Sequence, residues 1–401
     1  MSESITQAAL PVDETHMKRA LELAARGLYT TDPNPRVGCV LVQDGRVIGE
    51  GWHQRAGEPH AEVLALRSCS ESARGATAYV TLEPCSHTGR TPPCADALIA
   101  AGIARVVCAS VDSNPKVAGG GIQRLREAGI AVTVGVLEAE ARALNVGFFS
   151  RLERGRPFVR LKLAASSDGR TAPAQGGKAW ITDEASRADV QTWRARSSAV
   201  LTGAGTVRVD NPRLDVRLAY GPWVRQPLRV VLDPNLSCAP DSVVFRDERA
   251  LVFAAPDADM PAARPPRNWG AVRIERVPRV AGGVDLKRVM ERLAALEVNE
   301  LLVECGARLA GAFLQAHLVD ELIMYVAPHF LGADAAPLAA LSGLAALGGS
   351  PGPDGPPGLG GLPGPGVPPW PGGPQTLPRF EFRDQCLIQN DLRLILTPQR
   401  A

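Results

Sequence analysis

Four residues form a set able to do chemistry: His60 and Glu62 in Pro59-His60-Ala61-Glu62-Val63, Cys85 in Glu83-Pro84-Cys85, and Cys94. An imidazole and two thiolates offer one zinc ion three ligands. They leave the fourth tetrahedral position open, as a catalytic site requires. Zinc held in this way lowers the pKa of its water to about 7. Glu62, two residues beyond the first ligand, is the expected proton carrier between that water, a ring nitrogen and a leaving amine. A lone His-x-Glu carries little weight, and a satisfied core histidine beside two inert thiols is the plain alternative. The joint pattern, with each of His60 and Cys94 expected in the first turn of a helix behind Pro59 or Pro93, favours the metal site.

The elements that must position this set are readable from periodicity and turn chemistry. After a loose tail at 1–12, a helix is expected from Asp13, with Met17, Ala20, Leu21 and Ala24 on one face. A hairpin follows, with strands Gly38–Gln43 and Arg46–Glu50 joined by Asp44-Gly45. Helices from Pro59 and from Pro92 then alternate with strands Ala76–Leu82 and Arg105–Ser110. A helix Ile122–Ala128 and a strand near Val132 complete an α/β three-layer domain over 13–150. The basic, turn-rich Arg151–Pro157 marks a boundary. A second α/β domain is expected over 151–401, with strands Phe158–Ala164, Ala199–Thr202, Leu228–Leu232, Ala250–Ala254, Glu300–Val303 and Glu321–Ala327. Helices Asp183–Arg196, Asp285–Leu296 and Ala307–Ala316 lie between them, and a strand pair Phe380–Ile388 and Asp391–Leu396 ends it. The Gly/Pro-dominated segment 348–374 lacks glycine at every third position. It is read as a disordered insert rather than collagen-like chain or a docking segment.

Composition bounds the rest. With 401 residues, 45% hydrophobic and 21% charged, the chain has material for two cores. A net charge of +2 and 5% aromatics argue against a nucleic-acid groove, which needs basic and stacking residues. No apolar run is long enough for a membrane span and no secretory leader is evident, so a cytoplasmic location is expected. Eight cysteines spread without a secretory context read as buried thiols plus a few metal ligands.

The ligand pattern resembles the cytidine-deaminase superfamily, with one departure. Nucleoside and nucleic-acid deaminases usually hold two residues between the cysteines; here Ser86 to Pro93 supply eight. The run Thr81–Cys94 is similar to the RibD family of bacterial bifunctional riboflavin-biosynthesis deaminase/reductases. So are Asn34-Pro35-x-Val37-Gly38, Gly49-x-Gly51-x-His53, Ala56–Glu62 and Asn114–Gly119. The resemblance implies hydrolytic removal of the 2-amino group of a diaminohydroxypyrimidine carrying a phosphoribosylamino group. By it, Asn34 and His53 contact the pyrimidine, and His87 and Arg90 meet the phosphate.

For the second half, bottom-up reading yields only an α/β domain with glycines before two helix starts, Gly203-Ala204-Gly205-Thr206 and Glu304-Cys305-Gly306. The full Gly-x-Gly-x-x-Gly fingerprint is absent. The resemblance continues through Leu161–Thr171, Trp180-Ile181-Thr182, Arg194-Ala195, Gly205-Thr206-Val207, Asp210–Leu214 and Leu318–Leu322. It implies a dihydrofolate-reductase-like fold that reduces the ribosyl group to ribityl with NADPH. Carried across, Ala164, Trp180, Thr206, Asp210 and the segment Gly306, Ala307, Arg308, Leu309, Ala310, Gly311 and Ala312 bind NADPH. Lys178, Arg194, Leu214, Arg217 and Glu304 line the substrate pocket, with Arg194 and Arg217 suited to a phosphate. The implied assembly is a homo-oligomer acting on a small molecule. The competing readings are a zinc-dependent nucleic-acid or nucleoside deaminase with a non-catalytic accessory domain, and a scaffold using the Gly/Pro segment.

Overall fold

A computed structural model describes residues 11–86, 93–114, 118–175, 180–217, 224–258, 269–270, 272–280, 283–341 and 379–399. The first part runs α1 (Pro11–Ala25), β1 (Gly38–Gln43), β2 (Arg46–Trp52), α2 (Ala61–Arg67), β3 (Thr77–Val80), α3 (Cys94–Ala100), β4 (Arg105–Cys108), α4 (Gly120–Glu127), β5 (Ala131–Val134), α5 (Glu138–Leu144) and α6 (Val146–Arg154). The second part begins β6 (Phe158–Ser166), β7 (Arg170–Ala172), α7 (Glu184–Arg196), β8 (Ala199–Gly203), α8 (Ala204–Asp210), β9 (Leu228–Leu232), β10 (Ala250–Ala254) and β11 (Arg273–Arg276). It continues with β12 (Arg279–Val280), β13 (Gly283–Val284), α9 (Leu286–Ala295), β14 (Glu300–Glu304), α10 (Ala307–Gln315), β15 (Glu321–Ala327), β16 (Ala336–Pro337), β17 (Phe380–Ile388) and β18 (Asp391–Pro398).

The first sheet has the order β2-β1-β3-β4-β5. Its hairpin is antiparallel, and β3, β4 and β5 are parallel. Asp44 and Gly45 both take positive φ, 49° and 75°, as a primed two-residue turn demands. Alternate residues of β1 feed opposite cores: Cys39 and Leu41 pack on one face, Val40 and Val42 on the other. Asp13 pins α1 to the sheet by accepting from Arg105 and from the Tyr79 hydroxyl.

The second sheet has the order β11-β10-β9-β8-β14-β6-β15-β18-β17 among the described residues. All its pairings from β11 to β15 are parallel; β18 and β17 add antiparallel strands at one edge. Both faces of the parallel part are covered, so strands such as Leu301-Leu302-Val303 are apolar throughout. Asp183 caps α7 by accepting from the Ser186 amide, and Asp285 caps α9 by accepting from Lys287 and Arg288.

Some expectations shift. The first helix starts at Pro11 rather than Asp13, because proline's fixed φ suits a first helical position. His60 lies at the N-cap of α2 with extended backbone, outside the first turn; Cys94 is the first residue of α3. Arg151–Pro157 is not all linker. The helix α6 runs through Arg154 and stops at Gly155, whose φ is 65°. Its basic residues are committed to partners: Arg154 and Arg156 pair with Asp320, and Arg151 bonds Asn299. The short α5 and α8 and the edge strand β11 carry too little periodic signal to be read in advance. The insert expected at 348–374 lies outside the described residues, as does the tail before Pro11. No described helix is long and apolar enough to cross a membrane.

The first domain meets the second sheet at the amino ends of its parallel strands. Glu300, which opens β14, is buried and bonds Arg36 from the first domain and Arg160 and Arg196 from the second. Gly147 of α6 sits so close that a Cβ there would lie 2.5 Å from Glu300 Cγ and 2.7 Å from the Asn299 carbonyl. The carboxyl ends of β6, β8 and β14 point away from this junction.

Candidate active site

In the first domain the carboxyl end of β3 leads into Thr81–Cys85, which meets the starts of α2 and α3. This brings the ligand atoms of His60, Cys85 and Cys94 within 4.8 Å of one another. His60 Nδ1 lies 3.2 Å from Cys94 Sγ and 3.6 Å from Cys85 Sγ. Ligands on a tetrahedral zinc stand about 3.5 Å apart, given bond lengths of 2.0–2.3 Å, so the set fits that ion. The Cys94 amide donates to Cys85 Sγ at 3.3 Å. Hydrogen bonds from Cys94 and His60 pull the Cys85 thiol down to about 4, against its burial; Cys94, the donor of the pair and itself buried, moves up.

Glu62 is 3% exposed in the first turn of α2, and its Oε2 is buried with no hydrogen-bond partner. Burial raises its pKa, although His60 opposes the shift. An orphaned carboxylate oxygen beside three converging donors is what a site built for a metal and a reacting proton leaves in the protein alone.

The ring-contact candidates are held in a fixed relay. His53 Nδ1 is 3.2 Å from the Pro59 carbonyl, which can only accept, so Nδ1 carries the proton. Burial lowers the pKa of His53 and keeps it neutral. Its Nε2 therefore accepts from Asn34 Nδ2 at 3.1 Å, leaving the Asn34 carbonyl oxygen available. Asn34, His53, His60, Glu62 and Cys85 all line one cavity of about 550 Å³. His87 and Arg90 lie outside the described residues.

Two features of this cavity escaped the sequence reading. Glu83 accepts from four backbone amides: Gly121 and Ile122 on Oε1, Asp112 and Gly119 on Oε2, at 2.9–3.2 Å. It thereby ties the cysteine loop to the start of α4; its place directly before Pro84-Cys85 was the available signal. Arg151, Phe148 and Glu297 line the cavity from α6 and from the second domain, and nothing local in the sequence announced them.

In the second domain the carboxyl ends of β6, β8 and β14 carry Ala164, Gly203 and Glu304, with α8 and α10 starting just beyond. Open parallel sheets bind ligands at such ends. Gly306 caps α10 and, with Ala307 and Arg308, stands at its start. Ala310 and Gly311 are buried in packing, and a Cβ on Gly311 would meet the Ala340 carbonyl at 2.0 Å. Thr206 and Asp210 lie on α8. Trp180 is 66% exposed, with the Arg187 guanidinium 4.5 Å from its ring centre.

Arg194, expected to meet a phosphate, is paired with Glu304. Its Nε and one terminal nitrogen grip both oxygens of Glu304 at 2.6 and 2.9 Å, and the other terminal nitrogen donates to the Asp215 carbonyl. Three of its five donors are used in this way, and the bidentate pair orients Glu304. Burial opposes ionisation of Glu304, yet Arg194 holds its pKa below the ordinary range. Leu214 is 2% exposed, has a φ of 50° and packs within a buried apolar cluster. Arg217 is exposed, its guanidinium 3.9 Å from Asp215. Lys178 lies outside the described residues. Lys162, missed from the sequence, sits opposite Glu304 in register on β6, and burial lowers its pKa.

Comparison with known proteins agrees with both halves. Residues 11–110 match the cytidine and deoxycytidylate deaminase zinc-binding region, and residues 157–347 match the RibD C-terminal domain. The riboflavin biosynthesis protein RibD of Escherichia coli K12 is 51% identical over 343 residues, covering 83% of this chain and 92% of that protein. The Acinetobacter baumannii RibD structure superposes with a TM-score of 0.83 at 41% identity, covering 98% of this chain and all of the other. A Thermotoga maritima diaminohydroxyphosphoribosylaminopyrimidine deaminase/5-amino-6-(5-phosphoribosylamino)uracil reductase gives 0.76 at 34% identity, covering 97% and 99%. This chain therefore belongs to the RibD family of bifunctional riboflavin-biosynthesis enzymes, with a zinc-dependent deaminase domain followed by an NADPH-dependent reductase domain.

Proposed function

We propose that the first domain hydrolyses the 2-amino group of 2,5-diamino-6-(5-phosphoribosylamino)pyrimidin-4(3H)-one and that the second reduces the ribosyl group of the product to ribityl. The observation that carries the first step is the partnerless, buried Glu62 Oε2 beside the three converging donors His60, Cys85 and Cys94. These three residues hold the zinc, which supplies Lewis acidity toward water at neutral pH. Glu62 takes a proton from the attacking water and delivers it to the ring nitrogen and the departing amine. The carbon–nitrogen bond breaks, a carbon–oxygen bond forms, and ammonia leaves. The relay Pro59–His53–Asn34 sets the Asn34 amide to read the pyrimidine edge.

In the second domain NADPH supplies the hydride. Gly306, Ala307, Arg308, Leu309, Thr206, Asp210, Ala164 and Ala312 form the cofactor side, with Trp180 at the rim. Arg217, Lys178 and the Arg194-oriented Glu304 form the substrate side. Lys162, held beside Glu304 with a depressed pKa, fits the source of the proton that accompanies the hydride. The same reading places the enzyme in the cytoplasm as a homo-oligomer acting on a small molecule, without nucleic-acid or membrane partners. Purified protein incubated with the pyrimidine phosphate, with and without NADPH, tests it. Ammonia release is expected in both cases and NADPH oxidation only after deamination; activity on tRNA or single-stranded DNA instead would overturn it.

A further inference from the structure

We propose that Asn299, a residue of the reductase domain, is a positioning residue for the deaminase: together with Ser198 it sets the loop that presents Asn34 to the pyrimidine. This rests on the reading that the first cavity takes a diaminopyrimidine whose ring Asn34 contacts.

The loop has few means of holding itself. Pro33 and Pro35 flank Asn34, so from Asp32 to Pro35 only Asp32 and Asn34 carry an amide hydrogen. The Asn34 amide donates to the Thr31 carbonyl at 2.9 Å, and its side chain donates to His53 Nε2. Neither bond fixes the Asp32 carboxylate or the Pro33 carbonyl, and the second domain takes up both. Asn299 Nδ2 donates to Asp32 Oδ1 at 3.0 Å and to the Pro33 carbonyl at 2.8 Å. The Ser198 hydroxyl donates to the same Asp32 oxygen at 2.7 Å, and an Arg225 terminal nitrogen lies 3.0 Å from the other. Pro33 and Asn34 both line the deaminase cavity.

The two second-domain groups have no other direction to point. The Ser198 hydroxyl accepts from the Asn299 and Glu300 amides at 2.9 and 3.1 Å, so its single hydrogen goes to Asp32. Asn299 spends both side-chain amide hydrogens on the loop, and its oxygen accepts from Arg151 Nε at 2.7 Å. Asn299 is 5% exposed and Ser198 1%. They directly precede β14 and β8, and the Ser198 amide donates to the Glu300 carbonyl at 2.9 Å, which ties the two starts together. The loop is thus braced from the end of a parallel sheet, and a rigid element holds a contact residue more closely than a loop's own turns do. Glu300 already joins the domains through Arg36, so what Asn299 adds is the placement of the two residues before Asn34.

The test uses the full chain, with ammonia release from the phosphoribosyl pyrimidine as the readout. In Asn299→Ala the deamination KM should rise about 10-fold with kcat within about threefold, as two lost hydrogen bonds would give. Asn299→Asp keeps the shape but not the donors, and should do no better. Zinc content and reductase turnover on supplied deaminated pyrimidine should not change. A double-mutant cycle separates placement from general support: once Asn34→Ala is present, adding Asn299→Ala should change KM by less than about twofold. Asp320→Ala breaks the junction's ion pairs with Arg154 and Arg156, away from the loop. It should lower the melting temperature and leave the deamination KM within about twofold of wild type. A wild-type KM in Asn299→Ala or Asn299→Asp, or a loss that simply adds to that of Asn34→Ala, overturns the proposal. So does an equal rise in Asp320→Ala, which would make loosened domains the cause. If the wild-type protein releases no ammonia from the phosphoribosyl pyrimidine, the function reading itself falls and takes the proposal with it.

Discussion

Glu62 and Arg194 show how burial gives a side chain its task. Glu62 combines a burial-raised pKa with an oxygen that no protein group satisfies. Glu62→Gln keeps the shape and removes the proton transfer, so deamination should fall by at least about 100-fold. Zinc measured by metal analysis and reductase turnover should persist; deamination within tenfold of wild type would remove Glu62 from the mechanism. Arg194→Ala removes the main group that offsets the desolvation of Glu304, a loss of about 3 kcal/mol. Reductase turnover and thermal stability should drop while deamination stays. In the wild type Glu304 titrates below its unfolded value, so the pair stabilises above the ordinary glutamate range and the gain is lost as pH falls through the depressed value. Without the guanidinium, burial raises the Glu304 pKa above its unfolded value, and that contribution is lost as pH rises. The stability deficit of the variant should therefore be smaller at pH 5 than at pH 8, measured by thermal unfolding. At this scale the metal set was legible, because ligand type and spacing are local. The surroundings of Glu83, Lys162 and Arg151 were not, because they depend on what the fold packs around them.

The elements position these residues through close backbone approaches. The start of α4 is locked to the cysteine loop by Glu83 and by Gly121, where a Cβ would lie 1.8 Å from the Pro84 carbonyl. That neighbour is backbone and cannot swing aside. Gly121→Ala should push α4 away, break the Glu83 cap, and cost about 1–3 kcal/mol. Zinc retention and deamination should fall with reductase turnover intact, as metal analysis and separate assays would show; full zinc occupancy with normal deamination would contradict it. Element reading from sequence succeeded where signals were strong. The Asp44-Gly45 turn and the helix starts at Asp183 and Asp285 each had a local cause. It failed at α6, where clustered arginines looked like linker until Asp320 and Asn299 appeared as their partners.

Across the whole molecule, Glu300 is the hinge pin. It is buried among Arg36, Arg160 and Arg196, which hold its pKa far down despite its burial; burial and Arg160 push Arg196 down to about 10. Glu300→Gln would leave three guanidinium groups facing a neutral amide, at a cost of about 3–5 kcal/mol. Calorimetry should show a lower melting temperature, with the two domains unfolding in separate steps; a single unshifted transition would contradict it. The junction sits at the amino ends of β8 and β14, and the proposed reductase site at their carboxyl ends. Five-residue strands put about 17 Å between the two. The sequence by itself determined the candidate zinc-ligand set, the glutamate beside it and the alternation of helices and strands, because each depends on neighbours a few residues away. Only the tertiary structure decided that Arg151 meets Asn299, 148 positions away, and that Arg194 pairs with Glu304. Such pairings follow from how two domains pack, and no local spacing encodes that.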